Sequence, residues 1–147
     1  MHLDDILLEW KTDSKINRVK LEEESINVPM LHGKYLAMWV EAKARLKMAE
    51  QAMAVLGKDK WRYYEGKMTK EELEEKSLDP DPFKGLHILK GDKKHWYESD
   101  AELQAADAKI DYCKLKIDTL SSIIDMIKWR SNTIKNIIDI RRFESGS

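Results

Sequence analysis

Seven cationic and aromatic residues lie close together in the middle of the chain: Lys58, Lys60, Trp61, Arg62, Tyr63, Tyr64 and Lys67. Further cations flank them at Lys43, Arg45, Lys47 and Lys70. The acidic residues in this interval are Glu50, Asp59 and Glu65. Lysine and arginine attract phosphates in a salt-sensitive manner, and unpaired bases stack on aromatic rings for about 1 to 3 kcal/mol each. The pattern therefore predicts a surface that binds single-stranded nucleic acid.

A second interpretation of the same residues is purely structural. Trp61 and Tyr64 are three residues apart, so they could extend the apolar face of a helix. The nearby lysines would then be ordinary solvated charge. The residues alone leave both interpretations open.

The sequence contains none of the usual enzyme signatures. It has no glycine-rich phosphate loop, no GxSxG elbow and no paired-cysteine zinc pattern. The histidines, His2, His32, His87 and His95, are scattered without metal-ligand spacing. The single cysteine, Cys113, lies in an apolar pattern and is interpreted as a small buried thiol. We therefore expect no catalysis, no metal and no cofactor.

The composition favours long helices. Of the 147 residues, 36% are charged and only 6 are Gly and 3 are Pro, so turn signals are few. The net charge of −1 means that any electrostatic attraction to nucleic acid must be local. The acidic start does not resemble a signal peptide, and no apolar run reaches about 18 residues. We expect a protein of the reducing cytosol with no membrane partner.

The apolar spacing predicts five elements before the last helix. A short amphipathic helix includes Leu3 and Trp10, and a second runs from Asp13 or Ser14 to Ile26. Pro29 breaks the pattern and restarts it. The long helix that follows continues through Gly57 to Tyr64 or Glu65, with Gly66 as terminator. A capping-box helix begins at Thr69, and a loop or linker covers residues 78–91.

The last stretch predicts an assembly helix that begins near Asp92 or Ser99 and ends just before Gly146. Its main seam has heptad spacing, and its assembly residues are predicted to be Ile117, Leu120, Ile124, Ile127, Ile134 and Ile138. A second apolar line consists of Tyr112, Ile123, Met126, Ile137 and Ile140. The predicted fold is all-α. Residues 1–77 are predicted to bind single-stranded nucleic acid, residues 78–91 to form a linker and residues 92–147 to form an oligomerisation helix.

Several segments also resemble a known family. They include Ile127-Lys128-Trp129-Arg130, Ile134-Lys135-Asn136-Ile137, the run from Asp139 to Gly146, and the stretch from Lys58 to Gly66. Leu3, Asp5 and Leu7, and Lys20-Leu21 with Met30-Leu31, fall in the same order. These residues resemble UvsY, the family of recombination mediators of T-even-type bacteriophages.

The resemblance implies an all-helical protein that forms rings of six or seven subunits through its C-terminal helices, and we expect a heptamer. It implies binding to single-stranded DNA without catalysis, and contacts with a RecA-like recombinase and a single-strand-binding protein. The location would be the cytoplasm of the infected bacterial host. The alternative from the residues alone is a helical oligomeric scaffold that binds no DNA.

The family's DNA-contact motif, Lys-Ala-Arg-Leu followed by paired tyrosines, falls on Lys58-Asp59-Lys60-Trp61. Lys58 keeps the first cation of the motif, and Lys60 replaces its arginine. Asp59 departs from the motif by adding a negative charge, and Arg62 is a candidate to offset it.

Overall fold

The computed structural model describes residues 1–146, and within that range the regular structure is entirely helical. Six α-helices follow one another along the chain: α1 (Leu3–Asp13), α2 (Leu21–Ile26), α3 (Val28–Tyr64), α4 (Lys70–Glu75), α5 (Lys94–Ser99) and α6 (Ala101–Glu144). A short 3-10 turn, Lys90–Asp92, precedes α5. The predicted all-α class is confirmed. No described helix is both long enough and apolar enough to cross a membrane.

Helix α3 has the predicted bounds to within two residues. Asn27 ends α2, and α3 begins at Val28, so Pro29 lies in the first turn, where its missing N–H has no helical partner to lose. The helix continues through Gly57, whose cost of about 1 kcal/mol relative to alanine is small for a 37-residue helix. It stops at Tyr64, just before Gly66.

Packing divides the chain into two compact units. The first consists of Met1–Ala44 and the chain from Cys113 onwards. Its core contains the fully buried side chains of Ile6, Tyr35, Leu120 and Ile127. The Trp10 ring meets Tyr35 edge to face at 5.5 Å, and Trp39 Nε1 donates a hydrogen bond to Ser121 Oγ at 3.0 Å.

Arg130 is the main polar anchor of the first unit. Its guanidinium, nearly buried, donates to the backbone carbonyls of Ser14 and Lys15 at 3.2 and 3.0 Å. It also forms an ion pair with Glu24 at 2.7 Å. The linker between α1 and α2 is thereby attached to α6.

The second unit is Arg45–Tyr112, and an aromatic cluster of one buried and three half-buried rings packs within it. The Tyr64 ring lies 6.1 Å from Phe83 and 4.9 Å from Tyr97, and Phe83 meets Trp96 edge to face at 5.4 Å. Phe83 therefore joins the loop after α4 to the end of α3. The two units do not coincide with the segments 1–77, 78–91 and 92–147, because α3 and α6 each contribute to both. That functional division stays a prediction.

The predicted helix from Asp13 or Ser14 to Ile26 is wrong in its first half, since α2 begins only at Leu21. The carbonyls of Ser14 and Lys15 are bound by Arg130 instead of by a helical turn. The Asn17 side chain accepts a hydrogen bond from Val19 N at 3.0 Å, a local bond that competes with helix formation.

The predicted start of the last helix also changes. A start near Asp92 is wrong, because α5 is a separate helix and α6 begins at Ala101. Asp100 has an extended ψ of 119°, and its carboxylate Oδ1 accepts from the backbone N–H groups of Glu102 and Leu103, both at 3.0 Å. Asp100 is thus the N-cap of α6. The Asp100 side chain therefore separates α5 from α6, although this segment contains no Pro or Gly.

Most of the predicted assembly seam packs inside the single chain. Five of its residues are buried without any second subunit: Ile117, Leu120, Ile124, Ile127 and Ile134. Ile138, by contrast, is partly exposed. The burial of the five is explained by the core of the first unit, so their role in assembly stays a prediction.

Candidate nucleic-acid interface

The end of α3 is closed by a glycine turn that brings a lysine back over an exposed tryptophan. Gly66 has φ +67°, its N–H bonds to Tyr63 O at 3.2 Å, and Lys67 N bonds to Arg62 O at 2.7 Å. These two bonds form a Schellman motif. The chain reversal places Lys67 Nζ 5.9 Å from the centre of the Trp61 ring, within cation–π distance.

The outer face of α3 carries an uninterrupted exposed line within the second unit. Its residues follow helical spacings of three and four: Lys47, Gln51, Ala54, Lys58 and Trp61. Trp61 is 49% exposed. Asp59 lies about 100° around the helix from Lys58 and is only partly exposed. The acidic departure from the family motif is therefore off this line.

Lys60 points the other way, into an ion-pair network. Its ammonium lies 3.0 Å from Asp100 Oδ2 and 3.4 Å from Glu102 Oε1, and its side chain is only 15% exposed. Tyr64 OH donates to the same Asp100 oxygen at 2.7 Å. Burial alone would lower the pKa of Lys60, but the hydrogen bond and the charge of Asp100 outweigh it and raise that pKa. Lys60 therefore stays cationic.

Asp100 is the acceptor that gathers these donors, and its side chain is only 5% exposed. Burial opposes its negative charge, yet the hydrogen bonds from Tyr64, Leu103 N and Lys60 lower its pKa below the ordinary value of 3.8. Burial and the bond to Asp100 raise the pKa of Tyr64, which remains a hydroxyl donor. The network is a charged junction between the end of α3 and the start of α6.

Arg62 and Tyr63 are also engaged within the chain. Arg62 pairs with Glu72 at 2.7 Å, and that hydrogen bond lowers the pKa of Glu72. Thr69 Oγ1 accepts from Glu72 N at 3.2 Å, which confirms the predicted capping box at the start of α4. Tyr63 OH donates to Asp79 O at 2.9 Å. Both side chains hold the following segment against α3.

The seven predicted residues thus fall into two groups. Lys58, Trp61 and Lys67 are exposed. The other four, Lys60, Arg62, Tyr63 and Tyr64, take part in contacts within the chain. The structural interpretation holds for Tyr64, which is buried, and not for Trp61. Asp100 was missed, although an aspartate directly before Ala101-Glu102-Leu103 is an ordinary N-cap signal.

In the described range, no group of three His, Cys, Asp or Glu side chains is arranged to hold a metal ion. Cys113 is buried, as predicted.

Comparison with known proteins assigns the family. Residues 9–147 match the model described as "Recombination, repair and ssDNA binding protein UvsY". The chain belongs to the UvsY family. It is 30% identical to the recombination protein UvsY of Enterobacteria phage T4 over 146 residues, which cover 99% of each protein.

Solved UvsY structures share the fold. One crystal structure of the bacteriophage T4 recombination mediator protein UvsY superposes with a TM-score of 0.81 at 28% identity, covering 99% of this chain and 98% of that one. Another crystal form gives 0.80 at 28% identity, covering 98% and 99%. The predicted resemblance to UvsY is confirmed over nearly the whole chain, and with it the assignment to recombination mediators.

Proposed function

We propose that this chain is a recombination mediator that binds single-stranded DNA and promotes loading of a RecA-like recombinase onto strands coated by single-strand-binding protein. The site of action would be the cytoplasm of the infected bacterial host. Membership of the UvsY family supports the class of function. The observation that carries the DNA-binding part is the exposed line of cations and tryptophan along α3.

The strand-contact surface that we propose consists of Lys47, Lys58, Trp61 and Lys67. From Lys47 to Trp61 the helix rises about 21 Å, which is room for several nucleotides in an extended strand. No ion pair engages Lys47 or Lys58 in the part of the chain that the structure describes. Their charges are available to phosphates, and the exposed Trp61 ring is available to a base.

One such surface has few phosphate contacts, so we propose that a ring, expected to be a heptamer, repeats it. Linked sites that engage the same strand raise the apparent affinity by a factor on the order of 10² to 10⁴. The ring requires an exposed surface on each subunit that a sister subunit can cover.

We propose that this surface is an uncharged strip on the outer face of α6. It consists of the half-buried Thr119 and six exposed residues, Leu115, Ser122, Met126, Trp129, Thr133 and Ile140. Met126 and Trp129 are 59% and 63% exposed. A 430 Å³ groove beside Leu7 and Trp10 borders the strip at Ser122 and Met126. In a chain with 36% charged residues, an exposed uncharged strip of this length favours contact with another subunit.

Mediation follows from differential affinity. A coating protein holds the strand in its own path, and a ring that holds the same strand in another path favours release of the coat. Only a ligand that binds the two states unequally can shift such an equilibrium. The alternative of a scaffold without DNA binding has no support from the family assignment.

The test is binding of a fluorescent oligothymidylate, measured by anisotropy over a series of salt concentrations. We expect Lys58→Ala to weaken binding. The slope of the logarithm of the binding constant against the logarithm of the salt concentration should become shallower by at least about 0.7, since a phosphate contact is lost. Trp61→Ala should weaken binding at an unchanged slope. Lys76→Ala, an exposed lysine outside the surface, is the matched control. An unchanged slope for Lys58→Ala contradicts the surface.

A further inference from the structure

We infer that Lys60 is a positioning residue for the strand-contact surface, acting through Asp100, and is not a phosphate-binding residue. This inference rests on the proposed DNA-binding function, and it gives the two lysines of the contact motif different roles.

The Lys60 ammonium is already occupied by partners within the chain. An ammonium has three donors, and two carboxylates already lie 3.0 and 3.4 Å from it. A phosphate would have to enter a site that two carboxylates already occupy, and even if the exposed Glu102 moved away, Asp100 would remain 3.0 Å from the ammonium and repel it. Displacing Asp100 itself, whose side chain is 5% exposed, would leave a nearly buried carboxylate without its cation, which is costly.

Asp100 accepts from donors on two helices. Oδ1 accepts two backbone N–H groups at the start of α6, and Oδ2 accepts Tyr64 OH and Lys60 Nζ. Four donors from two helices meet on one side chain. Such a junction fixes the last turns of α3 against the first turn of α6.

Helix geometry links the direction of Lys60 to the directions of Lys58 and Trp61. Residues two positions apart on a helix are separated by about 200°, and neighbouring residues by about 100°. Holding Lys60 inward therefore turns Lys58 outward and places Trp61 at the edge of the exposed face. Without the junction, the end of α3 would lose the rotation that aligns the strand-contact surface.

The test compares four variants of the full chain in the same salt titration: Lys60→Met, Lys60→Arg, Asp100→Asn and Lys58→Ala. We expect Lys60→Met to weaken oligothymidylate binding about tenfold at every salt concentration, with a slope parallel to that of the unaltered protein. Lys60→Arg, which keeps the charge, should restore binding. Lys58→Ala should show the shallower slope.

Asp100→Asn gives the sharpest distinction. Asparagine caps a helix as well as aspartate does, but it removes the nearer and more buried of the two carboxylates that pair with Lys60. If Lys60 bound phosphate, that loss of negative charge would tighten binding and steepen the slope. We expect the opposite, weaker binding at an unchanged slope.

Three results would overturn the inference: a shallower slope for Lys60→Met, tighter binding by Asp100→Asn, or unchanged affinity in both. If the unaltered protein binds no oligothymidylate, the proposed function fails separately. Thermal unfolding of Lys60→Met, Asp100→Asn and the double variant then still tests the junction. The effects of the two single changes on the melting temperature should be clearly non-additive, and additive effects would refute the link.

Discussion

The end of α3 and the C-terminal half of α6 expose different chemistry on helices of the same geometry. At the end of α3, the inward cation Lys60 is neutralised by Asp100, and the outward cation Lys58 has no ion pair in the described structure. On α6, the inward Ile127 is fully buried, and the outward Met126 is exposed. In both regions a shift of one or two residues separates a side chain that packs inside the chain from one that we propose as a contact. Residue type therefore indicates where such a region lies, and the direction in which each side chain faces determines its role.

The largest effect is expected on the inward side of α6. Ile127→Asp places a charge at a position with no exposure, within the apolar core of the first unit. Burying an unpaired charge costs more than about 4 kcal/mol, which would unfold the first unit. Circular dichroism should show a large loss of helix. A variant that keeps its helix and only dissociates would mean that Ile127 acts between subunits instead.

The outward side of the same helix should respond differently. Met126→Glu combined with Trp129→Glu places charge on the exposed strip, so we expect unchanged helix content and smaller particles in sedimentation. Apparent affinity for a long oligothymidylate should fall about a hundredfold, because avidity is lost. Asn132→Glu, exposed but off the strip, is the matched control. Particles of full size in the double variant would show that the strip is not part of the assembly contact.

The smallest effect concerns two glycines near the end of α3. Neither would meet a clash on gaining a Cβ, but Gly66 has φ +67° and Gly57 is helical. We expect Gly66→Ala to destabilise the chain by about 1 to 2 kcal/mol and Gly57→Ala to stabilise it by about 1 kcal/mol. Denaturant unfolding measures both. If both changes shifted the free energy of unfolding in the same direction, the turn that places Lys67 over Trp61 would not depend on the left-handed conformation of Gly66.

Most helices could be predicted from the sequence because apolar periodicity and capping residues are local properties. The bounds of α3, the capping box at Thr69 and the stop at Gly66 all depend on residues within one or two turns. The linker of residues 14–20 was not predictable in this way, since the backbone carbonyls of Ser14 and Lys15 are bound by Arg130, more than a hundred residues away.

The candidate site was predictable as a region and not residue by residue. Lys58 and Lys60 are the same residue type two positions apart, and no local pattern shows which of them meets a carboxylate. That carboxylate, Asp100, is forty positions further on. The isoleucine seam has the same difficulty, since heptad spacing predicts burial but does not say whether the covering surface belongs to the same chain.

The hydrogen bonds from Arg130 to the linker limit which sequence changes this chain can accept. Arg130 recognises main-chain carbonyls, so the identities of residues 14 and 15 are nearly free to drift, because every amino acid offers the same oxygen. The spacing is not free. A single residue inserted or deleted between Lys15 and α2 would shift Glu24, the third partner of the same guanidinium, relative to the two carbonyls, so this stretch should tolerate exchange and resist changes in length.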